Sequence, residues 1–304
     1  MEVTASLVKE LRERTGAGMM DCKKVLVETS GDMEKAIELL REKGLAKAAK
    51  KAGRVASQGL VKLAFAADGK KAAAVEVNSE TDFVAKNEEF IEFVEVLAQK
   101  ALDADSDDME AFMALSYKDE GNVQDALNNK IAKIGENMNV RRFAKCEVPG
   151  VVYVGYTHGN GKIGVIVGFE TDAAAEEIGV MGRDVAMQVA SMNPKFVDET
   201  AVDPAWLEEE KKIAEQLLLN EGKKPEMLSK IIPGKVKAIL KEVCLVDQKF
   251  VKDGDLTVKQ YIDNTAGALG KSAKVVEMIR YEVGEGIEKK EENFAEEVAK
   301  QMNN

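Results

Sequence analysis

Apolar positions over the first 50 residues recur at helical spacing. Leu7, Val8 and Leu11 follow Thr4, a residue suited to N-capping, and predict a first helix. Thr15-Gly16-Ala17-Gly18 breaks it. Cys22, Val25 and Leu26 mark a second helix, Ser30-Gly31-Asp32 breaks again, and Ala36, Ile37 and Leu40 give a third, closed by Gly44. Three helices in about 45 residues make a small independent core, a size that suits a recognition module tethered to something larger. From Gly59 the period changes. Val61, Leu63 and Phe65 alternate, Asp68-Gly69 turns, and Val75 and Val77 alternate again, which predicts a β-hairpin. Asn78-Ser79-Glu80-Thr81-Asp82-Phe83-Val84 leads into a helix carrying Phe90, Val94 and Leu97. A polar segment, 103–121, separates this from a helix around Val123–Gly135, and Asn139–Val148 reads as a further strand.

The same plan then returns. Val151 and Tyr153, a turn at Asn160-Gly161, and Val165 and Val167 predict a second hairpin. An offset of 90 residues aligns Val61 with Val151, Val75 with Val165, and Glu80-Thr81-Asp82 with Glu170-Thr171-Asp172. The repeated hairpin–helix unit closes in the second copy with a helix at Thr257–Gly267 and a strand at Lys274–Val283. Thr and Asp recur in both copies, as the chemistry of a helix start explains. The second copy carries an insertion. Pro204–Glu221 and Glu226–Val243 are charged helical segments joined by Gly222-Lys223-Lys224-Pro225. Trp206, Ile213 and Leu217 step by 7 and 4, the spacing of a coiled-coil seam, and predict an antiparallel helical hairpin. That hairpin packs on the core or serves as an arm for self-association or a partner. Pro233-Gly234 is expected to kink or end its second helix. In the tail, Ile287, Phe294 and Val298 predict a one-sided helix.

Antiparallel hairpins with helices grouped on one side define an α+β class. The expected divisions are 1–56, a three-helix module with a basic linker; 57–149, the first core subdomain; 150–284, the second, with the helical hairpin inserted at about 203–247; and 285–304, a C-terminal helical module.

Composition narrows the function. The chain has 304 residues and a formal charge of −11, which argues against direct nucleic-acid binding or attraction to an anionic membrane, since both need excess Lys and Arg. The charge is uneven: residues 1–56 hold 12 basic against 9 acidic side chains, while 76–125 holds 15 acidic against 3 Lys. Lys43, Lys47, Lys50, Lys51 and Arg54 form a run without acids, either a solvated Ala-rich segment or a contact for an acidic partner. The acidic stretch lacks the ligand period and central Gly of an EF-hand and reads as a solvated surface. His158 is the only histidine, so multi-His metal sites are excluded and no metal or cofactor is expected. Cys22, Cys146 and Cys244 read as buried or free thiols of a reducing compartment. The N-terminus lacks a secretory or transit pattern, and no apolar run reaches the ~20 residues of a spanning helix. A cytoplasmic protein, bacterial rather than organelle-targeted, is expected.

Two motifs that look chemical fail on context. Gly159-Asn160-Gly161-Lys162-Ile163-Gly164 matches G-x-G-x-x-G but precedes a strand, not the helix a dinucleotide site requires. Gly270-Lys271-Ser272 has Thr265 where a P-loop needs its first glycine. Thr81-Asp82-Phe83-Val84 is more informative. It lies where a hairpin hands over to a helix, and only this copy has a large aromatic, against Ala173 in the other. The pattern alone leaves Phe83 as a core or staple residue, or as a docking wedge.

Thr15 to Lys24 (Thr-Gly-Ala-Gly-Met-Met-Asp-Cys-Lys-Lys), with Thr81-Asp82-Phe83-Val84-Ala85-Lys86-Asn87, closely resembles bacterial translation elongation factor Ts, and Gly284-Glu285-Gly286-Ile287-Glu288-Lys289 is similar to that family's closing segment. The resemblance covers essentially the whole chain. It implies a ubiquitin-associated-like N-terminal module, a duplicated core, an inserted hairpin and a C-terminal helical module. It also implies a guanine-nucleotide exchange factor for the GTPase elongation factor Tu, with no covalent chemistry of its own. By the same resemblance Thr81, Asp82, Phe83 and Val84 disturb the partner's Mg²⁺ and phosphate region, with Phe83 as the wedge and Asp82 its polar neighbour. Arg12, Met19 and Met20 match the face that meets the nucleotide domain, and His158 matches a contact to another domain of the partner. The hairpin is a candidate surface for homodimerisation. Two other classes stay open: a chaperone-like or scaffolding binder without exchange activity, and an enzyme using His158.

Overall fold

The computed structural model describes residues 3–15, 17–118 and 120–288. Helices and strands are mixed, as the α+β reading expects. In chain order they are α1 (Ala5–Thr15), α2 (Met19–Glu28), α3 (Met33–Ala49), β1 (Gln58–Phe65), β2 (Ala72–Ser79), α4 (Asp82–Ala85), α5 (Glu88–Asp103), α6 (Met109–Ala114), α7 (Val123–Ile134) and β3 (Met138–Cys146). There follow β4 (Val151–His158), β5 (Ile163–Thr171), α8 (Ala175–Met192), α9 (Pro204–Asn220), α10 (Pro225–Val243), β6 (Lys249–Phe250), β7 (Asp253–Thr257), α11 (Val258–Ala268) and β8 (Ala273–Glu282). Two three-stranded sheets have the orders β1-β2-β3 and β4-β5-β8, and β6 pairs with β7. Each larger sheet is thus a hairpin plus a strand that returns after intervening helices.

The chain divides into two compact units, one of residues 1–61, 75–143 and 282–304, the other of 62–74 and 144–281. In the first, α1 to α3 enclose Val8, Leu11, Cys22, Val25, Leu26 and Ala36. Asp32 starts α3 by accepting from the Lys35 amide at 3.1 Å. Gly44 does not close that helix, as its composition suggested; α3 continues to Ala49. A Cβ at Gly44 would sit 3.7 Å from the Ala132 methyl on α7, so the glycine marks a close helix–helix approach. The basic run is largely engaged within the protein: Lys43 with Glu28 at 2.6 Å, Lys47 with Asp21 at 2.7 Å, Arg54 with Glu80 at 3.5 Å, and Lys51 with the Gly135 carbonyl. The polar segment 103–121 contains α6, capped by Asp108, whose Phe112 stacks on Phe143 at 4.3 Å.

Every residue of β2 is buried, including the polar positions that alternate with Val75 and Val77. Glu76, fully buried, accepts from Arg142 at 2.6 Å, the Gly284 amide at 2.8 Å, Asn78 at 3.0 Å and Arg141 at 3.1 Å. Burial pushes its carboxyl up, but these donors outweigh that and hold it below the usual carboxylate range. The closing segment is therefore fastened at Gly284. Phe294, Val298 and the helical module expected over 285–304 lie outside the described residues beyond Glu288.

In the second unit, α8 and α11 cover the β4–β5 sheet around Val165, Val167, Phe169, Met181, Val185 and Ile262. Gly182 lets α8 approach closely, since a Cβ there would lie 2.6 Å from that of Val154. The seam expected for the insertion needs correction, and of the two outcomes expected at Pro233 the helix end does not occur. Leu218 and Ala214 are the buried residues of α9, while Ile213 and Leu217 are 47% and 57% exposed. The seam is therefore shifted by one residue, and Trp206 instead packs at 5.1 Å on Phe196. Pro233 does not end α10, which runs unbroken to Val243. Pro233 and Ser229 are both exposed, so the carbonyl that loses its helical donor faces water.

Candidate functional site

Handover from β2 to α5 is built from short-range chemistry. Thr81 sits in extended backbone (φ −121°, ψ 158°) and its hydroxyl accepts from the Val84 amide at 3.5 Å, starting the four-residue helix α4. Asn87 then caps α5, accepting from Glu89 at 2.9 Å and Phe90 at 3.3 Å. Val84 and Ala85 are buried beneath this turn. Phe83 points the other way and is 79% exposed, more than any other large hydrophobic side chain among the described residues. That removes the core or staple reading. Asp82 holds Lys86 at 2.6 Å, and the Lys86 ammonium lies 6.0 Å from the centre of the Phe83 ring. The result is an aromatic flanked by one carboxylate–ammonium pair on a capped turn.

The second copy departs from the helix-start explanation given for its Thr and Asp. Ala174, not Thr171, precedes α8. Thr171 donates to the Ser272 carbonyl at 2.6 Å, and Asp172 accepts from the Ser272 amide at 3.0 Å. Amide and main-chain donors hold the Asp172 carboxyl below its ordinary value. The repeated residues thus tie a turn to the loop before β8, and no aromatic is presented there.

The remaining predicted residues are exposed. Arg12 is on α1, and Met19 and Met20, 50% and 62% exposed, open α2. Val27, 60% exposed, lies in the last turn of α2 and was not singled out by the sequence. His158 ends β4, opposite Ile163 in the register, on the hairpin whose loop carries Asn160 and Gly161 at positive φ. Its Nδ1 lies 2.9 Å from the Tyr156 hydroxyl, a phenol rather than the carboxylate that would orient a general base. The structure brings Thr81, Asp82, Phe83 and Val84 together and leaves Arg12, Met19, Met20 and His158 as further surface positions.

Glu136 is the residue that the sequence reading missed. Its carboxylate accepts from both the Thr81 amide at 2.9 Å and the Thr81 hydroxyl at 2.6 Å. Glu80 reaches the opposite way to the Asn137 amide at 2.5 Å. The separation of 55 positions between Thr81 and Glu136 leaves no local pattern that could reveal the pair. No group of three or more His, Cys, Asp or Glu among the described residues could hold a metal, and no described helix is long and apolar enough to cross a membrane. Cys22, Cys146 and Cys244 are buried and form no disulfide. Burial, then nearby Asp247, Glu199 and Asp198, pushes the Cys244 thiol up to about 11.

A family model described as elongation factor TS matches residues 80–285. The chain is 54% identical over 300 residues to elongation factor Ts of Clostridioides difficile (strain 630), covering 99% of each chain. It is 52% identical over 303 residues to elongation factor Ts of Clostridium novyi (strain NT), again with 99% of each covered. Against elongation factor Ts of Clostridium botulinum (strain Eklund 17B / Type B) identity is 50% over 300 residues, with the same coverage. An exposed aromatic on the Thr-Asp-Phe-Val turn and a likeness that runs from end to end agree, and the chain belongs to the elongation factor Ts family of translation elongation factors.

Proposed function

We propose that this chain is the guanine-nucleotide exchange factor of elongation factor Tu, acting in the cytoplasm without covalent chemistry or a cofactor. It binds the GDP-loaded GTPase, disturbs the Mg²⁺ and phosphate region through Thr81, Asp82, Phe83 and Val84, and releases GDP so that GTP can bind. The observation that carries this is Phe83, 79% exposed at a capped turn with its neighbours Val84 and Ala85 buried. An apolar ring held in water is stabilised by transfer into a pocket, here one on the partner. Asp82, fixed by Lys86 at 2.6 Å, brings negative charge beside the ring, where it competes for the surroundings of a bound cation.

Arg12, Met19 and Met20 supply the contact to the nucleotide domain, and His158 a contact to a second domain of the partner. The N-terminal helices act as a ubiquitin-associated-like module and the two hairpin–helix copies as a duplicated core. The outer apolar residues of the inserted hairpin, Ile213 and Leu217, are the surface for homodimerisation. Exchange is then negative coupling between two ligands of one GTPase, and the coupling is reciprocal. If the factor weakens GDP binding by a given ratio, GDP weakens the factor by the same ratio. Titration of the chain into nucleotide-free and GDP-bound elongation factor Tu tests this. Equal affinity for both forms would assign the chain to the scaffolding class instead.

A further inference from the structure

A helix of four residues such as α4 has no stability of its own, because nucleation fixes several dihedrals for a single hydrogen bond. Its geometry has to be imposed from outside. Val84 and Ala85 anchor one side by burial. The start of the turn is anchored by Glu136, which lies between α7 and β3. One carboxylate oxygen accepts from the Thr81 amide at 2.9 Å, the other from the Thr81 hydroxyl at 2.6 Å. With the hydroxyl proton directed at Glu136, the Thr81 oxygen presents a lone pair to the Val84 amide, so the cap depends on the clamp. A crosswise bond from the Asn137 amide to Glu80 lies beside it, and Arg54 is 3.5 Å from the same Glu80 oxygen. Beyond the ends of the neighbouring strands β2 and β3, glutamate side chains thus continue the link that main-chain bonds make within the sheet.

The second copy supplies the contrast. Its Thr171 is held by the main-chain carbonyl of Ser272, and the helix there does not begin at that threonine. The carboxylate clamp occurs in the copy whose turn presents an aromatic.

We infer that Glu136 is a positioning residue for nucleotide exchange, fixing Thr81 so that Phe83 is presented in one orientation. This rests on the exchange reading above. In this role Glu136 acts through Thr81, which it holds by two hydrogen bonds. Glu136→Gln is the informative variant because it keeps size and shape while replacing one of two acceptor oxygens by a donor amide. Release of labelled GDP from elongation factor Tu is followed by stopped flow at rising concentrations of wild-type chain and of the variant. Amide hydrogen exchange of the free chains is followed in parallel.

The limiting release rate falls about tenfold in Glu136→Gln, the scale of one lost charge-assisted hydrogen bond, while the half-saturating concentration changes less than about twofold. Exchange at 81–85 speeds up while α5 and β2 keep their protection. A limiting rate equal to wild type overturns the inference, as does faster exchange spread evenly over the whole unit. Thr81→Val removes the hydroxyl bond from the other side and covers the case in which the first variant does not fold. Its limiting rate falls by the same order, and no change refutes the role. Should the wild-type chain itself leave GDP release unchanged, the exchange reading fails, and the hydrogen-exchange arm still decides whether Glu136 orders the turn.

Discussion

Replacing Phe83 by Ala separates recognition from stability. Phe83 is 79% exposed, so only about a fifth of the side chain contributes to this protein's own packing. Full burial of a Phe is favourable by about 1.5–3 kcal/mol. The exposed share leaves about 1.2–2.4 kcal/mol for a partner pocket. At about 1.4 kcal/mol per tenfold, removal lowers the GDP-releasing efficiency between about sevenfold and fiftyfold. The chain's own melting temperature stays within about 2 °C, because the loss on folding is a few tenths of a kcal/mol. Stopped-flow release of fluorescent GDP, with a thermal melt of each protein alone, measures both quantities. Unchanged release with an unchanged melt would refute the wedge. A large drop in melting temperature would refute the premise that Phe83 is outside the core.

Other outcomes follow from the same structure. Glu76 has a folded pKa below its unfolded value, so its stabilisation is complete above about pH 5 and is lost as pH falls through the carboxylate range. Glu76→Gln removes that part of the acid sensitivity and, by taking from Arg141 and Arg142 the buried anion they share, costs about 3 kcal/mol at neutral pH in urea denaturation. Gly179→Ala, with nothing within 4 Å of the added methyl, stabilises by about 0.8–1 kcal/mol, whereas Gly182→Ala collides with Val154 at 2.6 Å and destabilises, both read by thermal melts. Pro233→Ala restores a hydrogen bond inside α10 and slows amide exchange there by up to the equivalent of about 3 kcal/mol. His158→Ala, at the proposed contact to a second domain of the partner, weakens complex formation by less than about tenfold in a binding titration and leaves the limiting release rate unchanged.

The parts legible in the sequence were those carried by local rules. Both long hairpins announced themselves by alternation and by glycine or asparagine at their turns, and Thr81 by its place before a helix. Elements set by distant contacts were not legible. Gly44 reads as a stop, yet packing against Ala132 makes it an interior residue of α3. Ile213 and Leu217 outrank Ala214 in hydrophobicity, so spacing selects the larger side chains while the structure buries the small one with Leu218. The polar residues of β2 suggest an exposed face, but Arg141 and Arg142 supply the counter-charge that permits Glu76 to be buried. Glu136 depends on a contact across 55 residues, and a single sequence holds no record of that pairing.

The most direct test of exchange is the rate at which labelled GDP leaves purified elongation factor Tu as this chain is added at fixed Mg²⁺. The account predicts a rate that rises with the chain and saturates by decades above the spontaneous value. Complex formation with an unaltered release rate would contradict it.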